Sequence, residues 1–462
     1  MNSSRIVAAS CRVKDELVER LCRINSRCAH PRTACIDRAL PGVTAFLSLL
    51  AVTGACLAGD LFTQPLSYPV HIAPWSVAIA DLGGDGDPDL AVANNESDTV
   101  GILSNTGHGM FMPQITYNAG DGPVCVALAD LDGNEYPDMA VANWRSNNIS
   151  ILLNEGDWWR PQVTYDVGTT PWSLTLADLD GDGDVDVAVS NYDSNNVSVL
   201  LNSGIGTFKA QVTYGVGLNP YGITSADLDG DDDIDLAVAN FGSNDVSILL
   251  NNGNGTFAPH VTYAAGTGAV AIASADLDGD EHVDLAVANF LSGTVSILLN
   301  DDGAGFAAQV PYSVGTQPFS VALADLDGDG TTDLATANYG SHGVSALVND
   351  GNAVFAAEGT YATSRFPTCV ALADLDADGD ADMAVTAAED DEVLVFANQS
   401  AHIPGDVDGD GDVDLADLAA LLGAYGQCQG DPGYEPGADF DESGCVDLCD
   451  LAELLGNYGY GT

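Results

Sequence analysis

Between residues 60 and 400 short β-rich runs alternate with Gly, Asn and Asp turns, and nowhere does the 3.6-residue period of an amphipathic helix appear. One unit shows the order. A run over 208–214 (FKAQVTY) leads through Gly and Pro into a small-residue run over 221–226, and an acidic loop follows. Then come an apolar run over 235–240 (DLAVAN), a short turn, a second apolar run over 246–251 and Asn252-Gly253-Asn254-Gly255. The Asn-Gly step is a tight hairpin signal. Four such runs per unit predict a four-stranded antiparallel blade.

The unit recurs. Its acidic loop opens at Asp81, Asp130, Asp178, Asp227, Asp276, Asp325 and Asp374, giving spacings of 49, 48, 49, 49, 49 and 49 residues. Seven units of this size predict a mainly β fold, a seven-bladed β-propeller whose radial repetition leaves only short edges. The aromatic that opens the fourth run occurs at Phe62, Phe111, Trp159, Phe208, Phe257, Phe306 and Phe355, so one copy precedes the first loop. The last unit stops after 393–398 without a fourth run of its own. Residues 62–70 are therefore expected to complete the blade built from about 368–398 and so close the ring.

Charge sharpens the picture. The chain carries 68 acidic and 12 basic residues, a formal net charge of -56. Eight of the basic residues lie between Arg5 and Arg38, leaving Arg145, Arg160, Lys209 and Arg365 for the rest. Such a surface repels nucleic-acid phosphates and anionic lipid. Each loop after the first spaces oxygen-bearing side chains at relative positions 1, 3, 5 and 9, with glycine among them, as in Asp178, Asp180, Asp182 and Asp186, which is how a short loop folds hard ligands around one cation. Without a cation so many carboxylates would repel one another, and calcium is the expected cofactor.

These repeats resemble FG-GAP or VCBS repeats, the family that includes the calcium-bearing blades of integrin α-chain propellers. The resemblance covers roughly residues 62–398. It implies side-chain ligands Asp178, Asp180, Asp182 and Asp186, with the Asp184 carbonyl. The matching sets are Asp130, Asp132, Asn134 and Asp138; Asp227, Asp229, Asp231 and Asp235; Asp276, Asp278, Asp280 and Asp284; Asp325, Asp327, Asp329 and Asp333; and Asp374, Asp376, Asp378 and Asp382. The first loop carries Gly83 in the second ligand's place, leaving Asp81, Asp85 and Asp89, and is expected to be the weakest site.

Residues 1–58 read as an N-terminal extension and signal peptide, the apolar segment 42–58 being preceded by basic residues. Either the true start lies downstream of Met1, or residues 1–41 form a disordered extension. Thr53-Gly54-Ala55-Cys56 weakly resembles a lipobox, with Thr53 in place of Leu. No second run of membrane-spanning length follows, so a secreted or cell-surface protein is expected. Cys125 and Cys369 occupy a small-residue slot and are expected to be buried thiols. Cys428, Cys445 and Cys449 suggest one disulfide and one remaining thiol.

After a linker at 401–404 the period changes. Asp406, Asp408, Asp410, Asp412, Asp414 and Asp417, and then Asp439, Asp441, Ser443, Cys445, Asp447 and Asp450, fall at positions 1, 3, 5, 7, 9 and 12 of two EF-hand-like loops, each followed by a Leu-striped helix. Leu415, Leu418, Leu421 and Leu422 recur at helical spacing, as do Leu448, Leu451, Leu454 and Leu455, so the two helices are expected to pack together. Residues 405–460 resemble a type I dockerin domain, which implies a cohesin-like protein partner. Leu415-Ala416 and Leu448-Cys449 depart from the small hydroxylated pair at loop positions 10 and 11.

For catalysis the sequence offers no nucleophile motif, phosphate loop or His-based zinc motif, and His71, His108, His260, His282, His342 and His402 fall at different repeat positions. Trp144, Tyr192, Phe241, Phe290 and Tyr339 recur in the turns opposite the acidic loops, and Trp75, Trp172, Tyr221 and Phe319 begin runs on that side. They could bind a glycan or protein ligand, but wedging between neighbouring blades is the expected use. A calcium-binding adhesion or recognition protein is the leading reading; the alternative is a polysaccharide-degrading enzyme or carbohydrate-binding accessory carried by the dockerin-like module.

Overall fold

The computed structural model describes residues 61–156, 158–300, 305–399, 415–425, 427, 446, 451 and 454. Residues Leu61–Asn398 form one compact unit. It contains seven separate four-stranded antiparallel sheets, as the repeat predicts.

The second strand of every blade is the reason the blades stack. Asp89–Asn94, Asp138–Asn143, Asp186–Asn191, Asp235–Asn240, Asp284–Asn289, Asp333–Asn338 and Asp382–Ala387 are buried along their whole length. Between their end residues they read as Leu, Val or Met alternating with small residues, mostly Ala, with Ser190, Thr336 and Thr386 the polar exceptions, because another blade covers each side. Accordingly the apolar core is divided among the blade interfaces. Ala91, Val100 and Ile102 of the first blade meet Val126, Met139 and Val141 of the second, and Val77, Leu90 and Val92 meet Ala384 and Val393 of the seventh.

Closure occurs where the count of runs placed it. Leu66–Pro69 pairs with Glu392–Phe396, in register Leu66↔Val395 to Pro69↔Glu392, and Phe62 bridges Asn398. The innermost strands complete the circle: each touches its neighbour, and Pro367–Ala373 returns to Pro74–Ala80. Two side-chain devices repeat at the seams. The first is an aromatic pair such as Tyr214–Phe257 at 5.2 Å, and Phe62 supplies the partner of Tyr361 at 5.1 Å. The second is an Asn that donates to the preceding blade's acidic loop, as Asn202 does to the Leu131 carbonyl at 2.8 Å and Asn398 to that of Leu326 at 2.9 Å.

Two local expectations need correction. The fourth strand over 208–214 shortens to Val212–Gly215: Phe208 still bridges Asn202 and packs on Tyr165 of the preceding blade at 5.4 Å, and the ladder is interrupted between Phe208 and Val212. The Asn252-Gly253 step lies in a five-residue connection between Asn251 and Phe257, which bridge, so it is not a two-residue hairpin. Gly253 and Gly255 both take positive φ there, at 71°.

In the C-terminal unit a helix spans Leu415–Ala424. Leu421 and Ala424 pack with Val446 and Leu454, flanked by Leu418 and Leu451, while Leu422 is exposed. The predicted ligands Asp406, Asp408, Asp410, Asp412, Asp414, Asp439, Asp441, Ser443, Cys445, Asp447 and Asp450 lie outside the described residues, as do the signal segment and Cys428 and Cys449.

Candidate metal centres and the opposite face

Each acidic loop joins the first strand of a blade to the second. Its second residue, Leu179 in the third blade, is buried and anchors the loop in the seam between blades. The carboxylates then divide the work. Asp178 caps the loop, accepting the N–H groups of Gly181 (2.8 Å) and Gly183 (2.9 Å). Asp186 clamps it, accepting Leu179 N–H at 3.0 Å through one oxygen and Asn202 N–H at 2.7 Å through the other. Asp182 turns back onto the Asp184 N–H at 3.0 Å. Asp180 is different: its Oδ1 is buried and has no hydrogen-bond partner.

That arrangement repeats. Asp132, Asp229, Asp278 and Asp376 each keep a buried, unpartnered Oδ1 as well. Asp132 has a side chain only 8% exposed. Within five loops one oxygen from each of the first, third and ninth positions lies within 4.8 Å of the others: Asp130, Asp132 and Asp138; Asp178, Asp180 and Asp186; Asp227, Asp229 and Asp235; Asp276, Asp278 and Asp284; and Asp325, Asp327 and Asp333. In the seventh loop Asp374 and Asp382 make the same cap and clamp. The fifth-position residues Asn134, Asp182, Asp231, Asp280, Asp329 and Asp378 each accept the N–H of the residue two further on.

Burial sets the electrostatics. It pushes the ninth-position carboxyls up to about 7 in Asp138, Asp235 and Asp333 and about 6 in Asp186, Asp284 and Asp382, against the opposing pull of their backbone hydrogen bonds. Asp89 shifts in the same direction. The third-position carboxyls are also raised, by burial first; in Asp180 and Asp229 the neighbouring fifth-position carboxylate follows. An all-oxygen donor set, with a buried oxygen left unpaired at its centre, fits a hard divalent cation. Two positions that sequence reasoning passed over also reach these sites. Arg160 lies 3.8 Å from Asp132 and Lys209 3.9 Å from Asp180. Each directly follows its blade's outer aromatic, a spacing that could have drawn attention to it. In the first loop Asp81 caps and Asp89 clamps as elsewhere, but no carboxylate stands at position 83.

On the opposite face the aromatics do more than wedge between neighbours. Every inner strand carries a register shift at its start, and in the first, third, fourth and sixth blades the displaced residues include Trp75, Trp172, Tyr221 and Phe319. These rings converge from blades spread around the ring. Trp75 lies 5.6 Å from both Trp172 and Phe319, and Tyr221 lies 4.6 Å from Trp172 and 5.7 Å from Phe319. They close the axis of the ring at that end. Trp144, Tyr192, Phe241, Phe290 and Tyr339 surround them, with neighbouring contacts such as Phe241–Phe290 at 6.3 Å. Cys125 and Cys369, on inner strands, are free thiols as expected, but half-buried by accessible surface. Burial pushes both thiols up in pKa, which disfavours the reactive thiolate.

The fold and its loops define a seven-bladed β-propeller with acidic loops set at the blade seams. FG-GAP-like repeats match residues 81–141, 130–189, 178–238, 227–287, 276–336 and 326–385, well over half of the chain, and the chain belongs to that family. No curated protein matches it. Among solved structures it is similar to BBS1N, determined in complex with ARL6DN (15% identity, 74% of this chain and 98% of that one, TM-score 0.55). It is also similar to virginiamycin B lyase from Staphylococcus aureus (13% identity, 73% and 99%, TM-score 0.51). At these identities the likeness is one of fold.

Proposed function

We propose that the protein is a secreted recognition scaffold whose blades are stapled by calcium and whose C-terminal module docks it to a protein partner. The observation that carries the reading is the third-position oxygen, buried and unpartnered in five loops. Asp130, Asp132 and Asp138, and the matching residues of the loops opened by Asp178, Asp227, Asp276, Asp325 and Asp374, would hold the ion, which supplies charge neutralisation and cross-linking. The loop lies between two strands and against the next blade's Asn, so its ion acts on stability. Recognition then falls to other surfaces.

The aromatic face supports a ligand of glycan or protein type, and the similar BBS1N propeller was determined with a protein bound. The dockerin-like reading of 405–460 rests on ligand spacing, and the apolar cluster of Leu421, Ala424, Val446 and Leu454 supports a packed helical module there. Secretion rests on the 42–58 segment; among the described residues no helix is long and apolar enough to cross a membrane.

Thermal melting of the full chain with calcium and with chelator tests the ion. A higher midpoint in calcium is expected, since a ligand that binds only the folded state must stabilise it. An unchanged midpoint would sink the staple. A glycan array and a screen of cohesin-like proteins test recognition, and turnover of any polysaccharide in parallel hydrolase and lyase assays would replace the scaffold reading with an enzyme.

A further inference from the structure

The repeat breaks at the seam between the first and second blades, on the acidic-loop side. Gly83 stands there in place of a carboxylate. The next blade's connection holds four residues between Asn154 and Trp159, where the bridged pair Asn202 and Phe208 encloses five, and this missing residue is the source of the single 48-residue spacing. The aromatic pair of this seam is also displaced. Tyr117 and Trp159 stand 5.8 Å apart at 48°, whereas the other six pairs lie at 5.1 to 5.4 Å and 73° to 86°. A cavity of about 160 Å³ opens between these groups, walled by Gly83, Asp89, Ser104, Tyr117, Gly156 and Trp159.

We infer that this cavity binds a small organic cation, an alkylammonium group carried by a free amine or by a lysine-like side chain. Two aromatic side chains, Tyr117 and Trp159, line it, and an aromatic ring attracts such a cation. Carboxylates supply the charge: Asp89 lines the wall, and the Asp85 carboxylate lies 3.7 Å from the point where a side chain on Gly83 would begin. Among the described residues no basic side chain lines the cavity, and Arg160, next to Trp159, is paired with Glu155 and with Asp132 at 3.8 Å. The chain's charge of -56 concentrates cations at the surface and disfavours anionic ligands. A bare divalent ion needs a cage of oxygens, which the aromatic walls and Gly83 do not offer here. The inference goes beyond the calcium reading and does not depend on it.

Titration calorimetry on the full chain, in calcium, tests it with choline, n-butylamine and lysine against 3,3-dimethylbutan-1-ol, the neutral isostere of choline, and against neutral monosaccharides. Saturable binding of the amines is expected, with the isostere weaker by roughly tenfold or more. Trp159→Ala and Gly83→Leu should each weaken choline by at least that factor. Gly83 does not have a left-handed φ, and the nearest neighbour of an added Cβ is at ordinary contact distance, so Gly83→Leu fills the cavity in a folded protein. Its melting midpoint serves as the check on folding. Absence of saturable amine binding, equal binding of the isostere, a preference for the sugars, or unchanged choline binding by Gly83→Leu would each overturn the proposal. A chelator-insensitive melt would overturn the calcium reading and leave this one standing.

Discussion

A ninth-position aspartate such as Asp186 holds two separate backbone N–H groups, one in its own loop and one at the end of the third strand. Asp186→Ala leaves both buried donors unpaired, and a loss of roughly 1–3 kcal/mol for each is expected in denaturant unfolding. The same residues set a pH dependence. Their folded-state carboxyls titrate at about 6 to 7, above the ordinary value of 3.8. In chelated protein their contribution is therefore fully present below pH about 4 and lost as pH rises through 6 to 7. A bound cation requires the ionised form, so the gap in melting midpoint between calcium-loaded and chelated protein should widen from about pH 5 to about pH 7.5. A gap that narrows over this window would contradict the assignment. Glycine matters where chains touch: a Cβ on Gly168 would stand 2.5 Å from the Asn191 side chain, so Gly168→Ala should cost about 1–3 kcal/mol in the same unfolding measurement.

The strand Leu66–Pro69 and Phe62 before it finish a blade whose other three strands lie more than 290 residues downstream. Removal of residues 60–72 should lower the melting point of the whole propeller, since it exposes a strand edge and the Tyr361 ring together. Phe62→Ala alone, at a site 3% exposed, is expected to cost about 3–5 kcal/mol. Truncated protein that melts like the intact chain would show that the closing strand is dispensable. Much of this element was legible in the sequence, because seven outer aromatics and seven acidic loops are offset by one strand. The shortened outer strands were not legible. Phe208 and Val212 belong to one β-rich run, and only the neighbouring Tyr165 decides that Phe208 points into the seam.

Across the molecule the acidic loops and the Asn stitches form one circuit, each loop receiving the next blade's Asn, as Leu131 receives Asn202. Cation removal should therefore weaken the coupling between blades, visible as a broader as well as an earlier melt. By itself the sequence determined the blade number, the strand order within a blade, the closing strand and the acidic positions, because these follow from a period and from spacing along one chain. Tertiary structure decided which carboxylates cap, which clamp and which one keeps a buried oxygen unpaired, since that depends on backbone donors in a strand some sixteen residues away. It also decided that rings from blades one, three, four and six meet on the axis. And it turned a missing carboxylate and a missing loop residue, more than seventy positions apart in the chain, into one cavity, because a seam between blades joins what the repeat keeps separate.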